Sequence, residues 1–224
     1  MKKIIMALMA ACLAAPVTAD PLKDNEYFTM HSMGCMLLQE CTEGVMEVSS
    51  LLDVSSQYND PESFTFASNE FNQMLVALNQ VGVQVYLADE KYFPVGHRGV
   101  YHTVSNNFYL NKAFMGRPKT LMRVMRHEGW HAAQDCMAGT IDNSLIAIIL
   151  PEDTVPPMYQ EIVRRAYMLQ PSAIPWEKEA YWAGKTEGMT QAALESCARG
   201  TMWTDYDPTP MTREWLVKEG YISK

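Results

Sequence analysis

His127-Glu128-Gly129-Trp130-His131 is the stretch on which the interpretation of this chain depends. On a helix, residues four positions apart lie one above the other on the same face, so His127 and His131 can reach one metal ion. Glu128 lies one position along, close enough to act on a water held by that metal. Zinc lowers the pKa of a bound water toward ~7, and a carboxylate can then accept its proton. The spacing therefore predicts a zinc site with its own base.

The flanking residues predict that this stretch is part of one helix over residues 120–137. Apolar residues precede and follow it, and Gly139 is a typical residue just beyond a helix end. Gly129 is a poor choice inside a helix, at ~1 kcal/mol relative to alanine, so we expect close packing there. The alternative interpretation is a buried amphipathic helix with two incidental histidines.

The first residues have the pattern of a signal peptide. Lys2 and Lys3 are followed by the apolar run 4–15, and small residues lead to a cleavage site near Ala19. The run is too short to span a membrane, and no later stretch predicts a span. We therefore expect a signal peptide over residues 1–19, and an exported single domain, periplasmic or secreted, over residues 20–224.

The charge of the chain argues against nucleic acid as a partner. The formal net charge is −8, and it becomes two units more negative when Lys2 and Lys3 are removed with the signal peptide. No cluster of lysine and arginine is present. The composition makes no prediction of oligomeric state.

Four cysteines remain after the predicted cleavage: Cys35, Cys41, Cys136 and Cys197. An even number in an exported chain predicts two disulfides, for which three pairings are possible. We favour Cys35–Cys41, which closes a short local loop, together with Cys136–Cys197. No CxxC pair is present, which argues against a cysteine zinc cluster.

The periodicity of apolar residues predicts a helix-rich α+β fold. Before the histidine helix, three short strand patterns predict a small antiparallel-type sheet packed on that helix. The predicted strands are 81–87, 100–104 and 108–110, and the other predicted helices are 26–48, 64–80, 142–150, 158–169, 176–199 and 210–219.

A catalytic zinc usually takes three protein ligands and leaves a fourth position for water. The third ligand is expected from the predicted helix 176–199, as Glu177 or Glu179. The two cannot both face the metal, because residues two apart point in different directions on a helix. We prefer Glu177, since Ala180 and Gly184 would give its face small residues for close helix contact. A Cys136–Cys197 bond would then tie the two ligand helices together.

On these residues the chain resembles the zincin metallopeptidases, in particular the gluzincin branch, whose third ligand is a glutamate. The resemblance rests on residues 127–131 and on Glu177-Lys178-Glu179-Ala180. It implies a zincin-like core, one Zn²⁺ per chain bound by His127, His131 and one of the two glutamates, and Glu128 as general base. It also implies a peptide or protein substrate, bound extended along an edge strand.

The chain departs from the thermolysin-like members of that branch. They carry an aspartate four residues after the ligand glutamate, where this chain has Tyr181 or Ala183. A ligating histidine usually donates its other N–H to an oxygen acceptor, so Asp135 or Gln134 is expected to orient a histidine instead.

Peptide hydrolysis also needs a donor for the developing oxyanion. Tyr101, His102 and Tyr109 lie in the strand region before the helix and are the candidates. The alternative for each is an ordinary half-exposed strand residue.

The expected function is an exported zinc-dependent metallopeptidase. Two other functions stay open: a non-catalytic exported zinc-binding or scaffold protein, and a zinc hydrolase of a non-protein amide such as that of the cell wall. The first would have a closed zinc site with four protein ligands, whereas an enzyme needs an open coordination position.

Overall fold

The computed structural model describes residues 11–13, as backbone, and residues 32–224. The rest of the predicted signal peptide lies outside the described residues. The fold is α+β and helix-rich, as predicted. Its helices are α1 (Met33–Leu37), α2 (Leu51–Ser55), α3 (Ser68–Gln80), α4 (Pro118–Met137), α5 (Pro157–Ala166), α6 (Ile174–Ala183), α7 (Met189–Ala198), α8 (Met202–Asp205) and α9 (Pro210–Lys218).

The sheet is mixed, and the prediction of an antiparallel sheet is wrong in this respect. Strand β3 pairs parallel with β5, whereas β4 and β5 pair antiparallel as a hairpin. The hairpin places β5 between β3 and β4, and a local alternation pattern carries no information about which strand becomes the neighbour. The strands are β1 (Ala11–Leu13), β2 (Val45–Glu47), β3 (Gln84–Ala88), β4 (His97–His102) and β5 (Asn107–Asn111), in the spatial order β1-β4-β5-β3-β2.

Helix α4 is the central element of the domain. It starts at Pro118, whose fixed φ suits the first turn, and it runs for 20 residues. It packs against α3, α6, α7 and strand β4. Its residues Leu121, Met125 and Trp130 are buried in the main core. The predicted helix 120–137 is therefore confirmed, and it carries the two histidines into the interior.

Gly129 explains part of this packing. A Cβ atom there would lie 3.0 Å from Thr190 Cγ2 and 3.1 Å from Met74 Cε. The close contact expected at Gly129 is thus with α7 and α3.

The predicted helix 176–199 is wrong as a single helix. The chain breaks after Ala183, and α7 starts again at Met189 after Gly188, whose φ of 79° suits only glycine. The break lets α6 and α7 pack separately on α4. At the end of α6, a Cβ on Gly184 would lie 3.2 Å from His127 Cβ, so this glycine allows α6 to approach the first histidine closely.

Two other predicted helices are also wrong. In the region 26–48, the described part is the short helix α1, a turn with Gln39 at a φ of 60°, and strand β2. The region 142–150 contains only the end of a 3-10 turn, Ile141–Asn143, before it continues without helix. Of its apolar residues, Ile149 is buried and Leu145 is exposed, and the backbone N–H groups of Ile149 and Leu150 bond to a buried carboxylate described below.

Both favoured disulfides are present, Cys35–Cys41 and Cys136–Cys197. The second ties α4 to α7, and not to the helix that carries Glu177, because the predicted helix is divided. Within the described residues, no helix has the length and apolar character needed to cross a membrane.

Candidate metal centre

His127, His131 and Glu177 form one buried cluster between α4 and α6. One donor atom from each lies within 4.8 Å of the others. The exposed fraction of the side chain is 0% for His131 and 2% for Glu177, but 11% for His127. The cluster is therefore enclosed by the two helices and reaches solvent on the His127 side.

The distances in this cluster suit the ligands of a zinc ion. Glu177 Oε2 lies 3.4 Å from His127 Nε2, and Glu177 Oε1 lies 3.6 Å from His131 Nε2. Two ligands of a tetrahedral zinc, each at ~2.0–2.1 Å, are separated by about 3.3 Å. A charge-assisted hydrogen bond is shorter, at ~2.7–2.9 Å. The donor set of two imidazoles and one carboxylate is one that zinc uses.

Each imidazole also has a further partner that orients the ring. His131 Nδ1 lies 2.8 Å from Gln134 Oε1. His127 directs Nε2 at Glu177, and its ring also hydrogen-bonds the backbone of Ala180. Metal-binding histidines are typically held this way, with one N–H donated to an oxygen and the other nitrogen directed at the metal.

The charges of the cluster are coupled in the protein without metal. Burial alone disfavours the charged form of His127, but the neighbouring carboxylate of Glu177 outweighs this effect and raises the pKa of His127. Burial lowers the pKa of His131 to about 4. Burial alone would raise the pKa of Glu177, but the two histidines and a hydrogen bond from Tyr167 lower it. The cluster therefore holds an ionised carboxylate beside a neutral His131.

Glu128 lies between α4 and strand β4. Its Oε2 accepts a hydrogen bond of 3.1 Å from the backbone N–H of Tyr101, and its charge contributes to the raised pKa of His127. The side chain fits because residue 99 is glycine: a Cβ there would lie 3.1 Å from both Cγ and Oε1 of Glu128. The predicted base is thus held against strand β4, beside the cluster.

Glu179 has different surroundings from Glu177. It is buried and accepts hydrogen bonds from Trp130 Nε1 at 3.2 Å, Gln134 Nε2 at 2.8 Å and the backbone N–H groups of Ile149 and Leu150. Burial raises the pKa of its carboxyl, while these four donors favour the charged form. Of the two glutamates, the structure places Glu177 with the histidines and Glu179 behind them.

Tyr101 and Asp135, two candidates for the site, pair with each other in the interior. Tyr101 Oη donates to Asp135 Oδ2 at 2.9 Å, and burial raises the pKa of Asp135 to about 8. The other oxygen of Asp135 is buried without a hydrogen-bond partner in the described part of the chain. Gln134, and not Asp135, orients His131.

His102 and Tyr109 also bond away from the cluster. His102 Nδ1 lies 2.7 Å from Ser105 Oγ, and Tyr109 Oη lies 3.4 Å from the carbonyl oxygen of Met36. The side chains of the three expected oxyanion donors are thus used in turns and packing. The contribution of β4 to the site is the backbone N–H of Tyr101.

Tyr167 is a residue of the site that sequence reasoning missed. It follows α5, is buried, and hydrogen-bonds Glu177. It belongs to no motif, and its spacing from residues 127–131 carries no signal. Only the packing of α5 on α6 brings it to the cluster.

No protein-family model, curated protein or solved structure matches this chain.

Proposed function

We propose that this protein is a zinc-dependent hydrolase of peptide bonds, with His127, His131 and Glu177 as ligands and Glu128 as general base. The observation that carries the proposal is the arrangement of the two Nε2 atoms, 3.4 and 3.6 Å from the oxygens of one buried carboxylate. The further hydrogen-bond partners of the two rings also support it, because metal-binding histidines are typically oriented by such partners.

Zinc bound at these residues would supply the Lewis-acid chemistry that acidifies water and polarises a carbonyl. Glu128 provides the proton acceptor. It is held by the N–H of Tyr101, and a general base in this position takes a proton from water and returns it to the leaving amine. Burial of Glu128 strengthens its electrostatic effect on a nearby reacting group.

The sheet supports an extended peptide as substrate. The outer edge of β4 pairs antiparallel with β1, so this edge accepts an extended strand. Strand β1 lies within the predicted signal peptide, and its removal would expose the edge to a substrate. In β4, the residue that follows those paired with β1 is Tyr101, whose backbone N–H holds Glu128. A peptide bound along β4 would therefore lie beside the proposed base.

Export is part of the proposal. Two disulfides suit an oxidising compartment, and the predicted signal peptide ending near Ala19 provides the route. The zincin-like core is likewise proposed on the order of sheet, histidine helix and glutamate helix.

Two other functions give different results in an assay. A structural zinc site would have four protein ligands, and the cluster found among the described residues has three, which favours the hydrolase. A zinc hydrolase of a cell-wall amide would share the same ligands and base. A casein or peptide-library assay run beside a peptidoglycan assay separates these substrates.

The first experiment is elemental analysis of the purified mature protein at saturating zinc. We expect one zinc per chain, lost in His131→Ala and Glu177→Gln. Glu179→Gln is the matched control, since it changes an equally buried glutamate on the same helix and should keep its zinc stoichiometry. Wild-type protein without zinc after metal-replete refolding would refute the metal centre.

Activity is measured next, with Glu128→Gln as the matched inactive variant. We expect it to retain zinc and to lose peptide hydrolysis by at least a hundredfold, a typical effect of removing a general base. Zinc-loaded wild type that cleaves neither peptides nor peptidoglycan would favour the scaffold function.

A further inference from the structure

Glu179 is connected to the metal-ligand cluster through one side chain. Its Oε2 accepts from Gln134 Nε2 at 2.8 Å, and Gln134 Oε1 lies 2.8 Å from His131 Nδ1. Glu179, Gln134 and His131 all have relative exposures of 1% or less. This chain of contacts lies entirely in the interior, where unsatisfied or misdirected hydrogen bonds are costly.

The partners of Gln134 determine which way its amide faces. Its Nε2 is close to two oxygens, Glu179 Oε2 at 2.8 Å and the carbonyl oxygen of Trp176 at 3.1 Å. A backbone carbonyl only accepts hydrogen bonds, and Glu179 is surrounded by N–H donors. The NH₂ group of Gln134 must therefore face these oxygens, and its Oε1 must face His131.

The orientation of Gln134 in turn determines the tautomer of His131. An amide oxygen can only accept, so His131 Nδ1 must carry the proton. In the neutral ring, Nε2 then has the lone pair and points at Glu177, 3.6 Å away. The opposite tautomer would set a lone pair against the Gln134 oxygen and an N–H toward the metal position.

We propose that Glu179, acting through Gln134, is a positioning residue that holds His131 in its Nδ1–H tautomer and so strengthens zinc binding. The proposal rests on the proposed metal centre. We call the contacts from Glu179 through Gln134 to His131 the relay. His127 is held differently, by the backbone of Ala180, so the relay acts on His131 only. A carboxylate that is not a ligand thus contributes to metal affinity from behind the cluster.

The affinity is tested by zinc competition with a chromophoric chelator. Gln134→Met keeps an unbranched side chain of similar size and removes both amide contacts. We expect its zinc dissociation constant to rise 10- to 100-fold, as is usual when an outer partner of a ligating histidine is lost. Trp130→Phe is the comparison, because it removes a different donor to Glu179 and leaves Gln134 in place. Its zinc affinity should fall by less than that of Gln134→Met.

The tautomer is tested without metal by NMR of ¹⁵N-histidine protein, with the His131 signals assigned from His131→Ala. We expect the Nδ1–H form in wild type and a mixed population in Gln134→Met. Glu179→Gln, in which Trp176 still accepts from Gln134, should give a smaller shift and a several-fold loss of affinity. If Gln134→Met does not fold, the Glu179→Gln variant tests the proposal in its place.

The outcomes separate the relay from the metal centre. Wild type that binds no zinc overturns the proposed function and the affinity claim with it. Zinc-binding wild type with unchanged affinity in Gln134→Met, or with His131 in the Nε2–H form, overturns the relay alone.

Discussion

Gly99→Ala is expected to displace the proposed base while leaving the metal ligands in place. In strand β4, an added Cβ would lie 2.7 Å from Val124 Cγ1 and 3.1 Å from Cγ and Oε1 of Glu128. The first distance is shorter than real Cβ contacts allow, so a neighbour must move. Val124 is β-branched and lies on α4, where one side-chain rotamer is strongly preferred, so it cannot rotate away cheaply.

The substitution should affect both the unfolding free energy and the catalytic rate. Overpacking of a filled core costs typically ~1–3 kcal/mol of unfolding free energy, and the contact with Val124 places this site in the upper half of that range. A shift of Glu128 by about 1 Å reduces catalysis by roughly a hundredfold, because proton transfer depends on its position. Zinc stoichiometry should stay at the wild-type value, since no ligand side chain is among the close contacts of the new Cβ.

Three measurements test this: urea unfolding, zinc content, and kcat/KM on a peptide substrate. The double variant Gly99→Ala/Val124→Ala is the control, because it removes the closest clash and leaves the contact with Glu128. It should recover stability relative to Gly99→Ala without recovering activity. Gly99→Ala with wild-type stability and wild-type kcat/KM would refute the reasoning.

Three further predictions concern the cluster and its supports. Replacing Cys136 and Cys197 by alanine should lower the unfolding free energy by about 4 kcal/mol in chemical denaturation, because the bond closes a loop with a sequence separation of 61; a loss under about 1 kcal/mol would contradict this. The raised pKa of Asp135, about 8, means that folded protein binds a proton that the unfolded chain releases near pH 4. Stability relative to Asp135→Asn should therefore fall by about 1.4 kcal/mol per pH unit from about pH 5 to about pH 8, and a flat difference in thermal unfolding would be the contrary result. Tyr167→Phe removes a hydrogen bond to Glu177 and should weaken zinc binding about tenfold in chelator competition, whereas unchanged affinity would show that this bond is unimportant.

Local patterns were sufficient for the histidine helix. The apolar residues on both sides of 127–131 predicted a helix over residues 120–137, and α4 spans Pro118–Met137, two residues longer at its start. Helix formation depends on near neighbours, so its signal lies within a short window. The same holds for the close loop of Cys35–Cys41.

Patterns failed where a partner far along the chain decides the structure. The residues 142–150 are apolar enough for a helix, yet Ile149 and Leu150 donate their N–H groups to Glu179. The parallel neighbour of β5 is β3, which the local alternation does not indicate. In each case a tertiary contact supplies the hydrogen bonds that local structure would otherwise make.

The sequence by itself determined that His127 and His131 share one helix at metal-binding spacing, with Glu128 beside them. That relation follows from 3.6 residues per turn. Only the tertiary structure decided that Glu177 faces the histidines and Glu179 lies behind them. It also brought Tyr167 to the cluster and turned Gln134 toward His131. The physical reason is that residues two apart on a helix point in different directions, and which direction meets α4 depends on how the two helices pack.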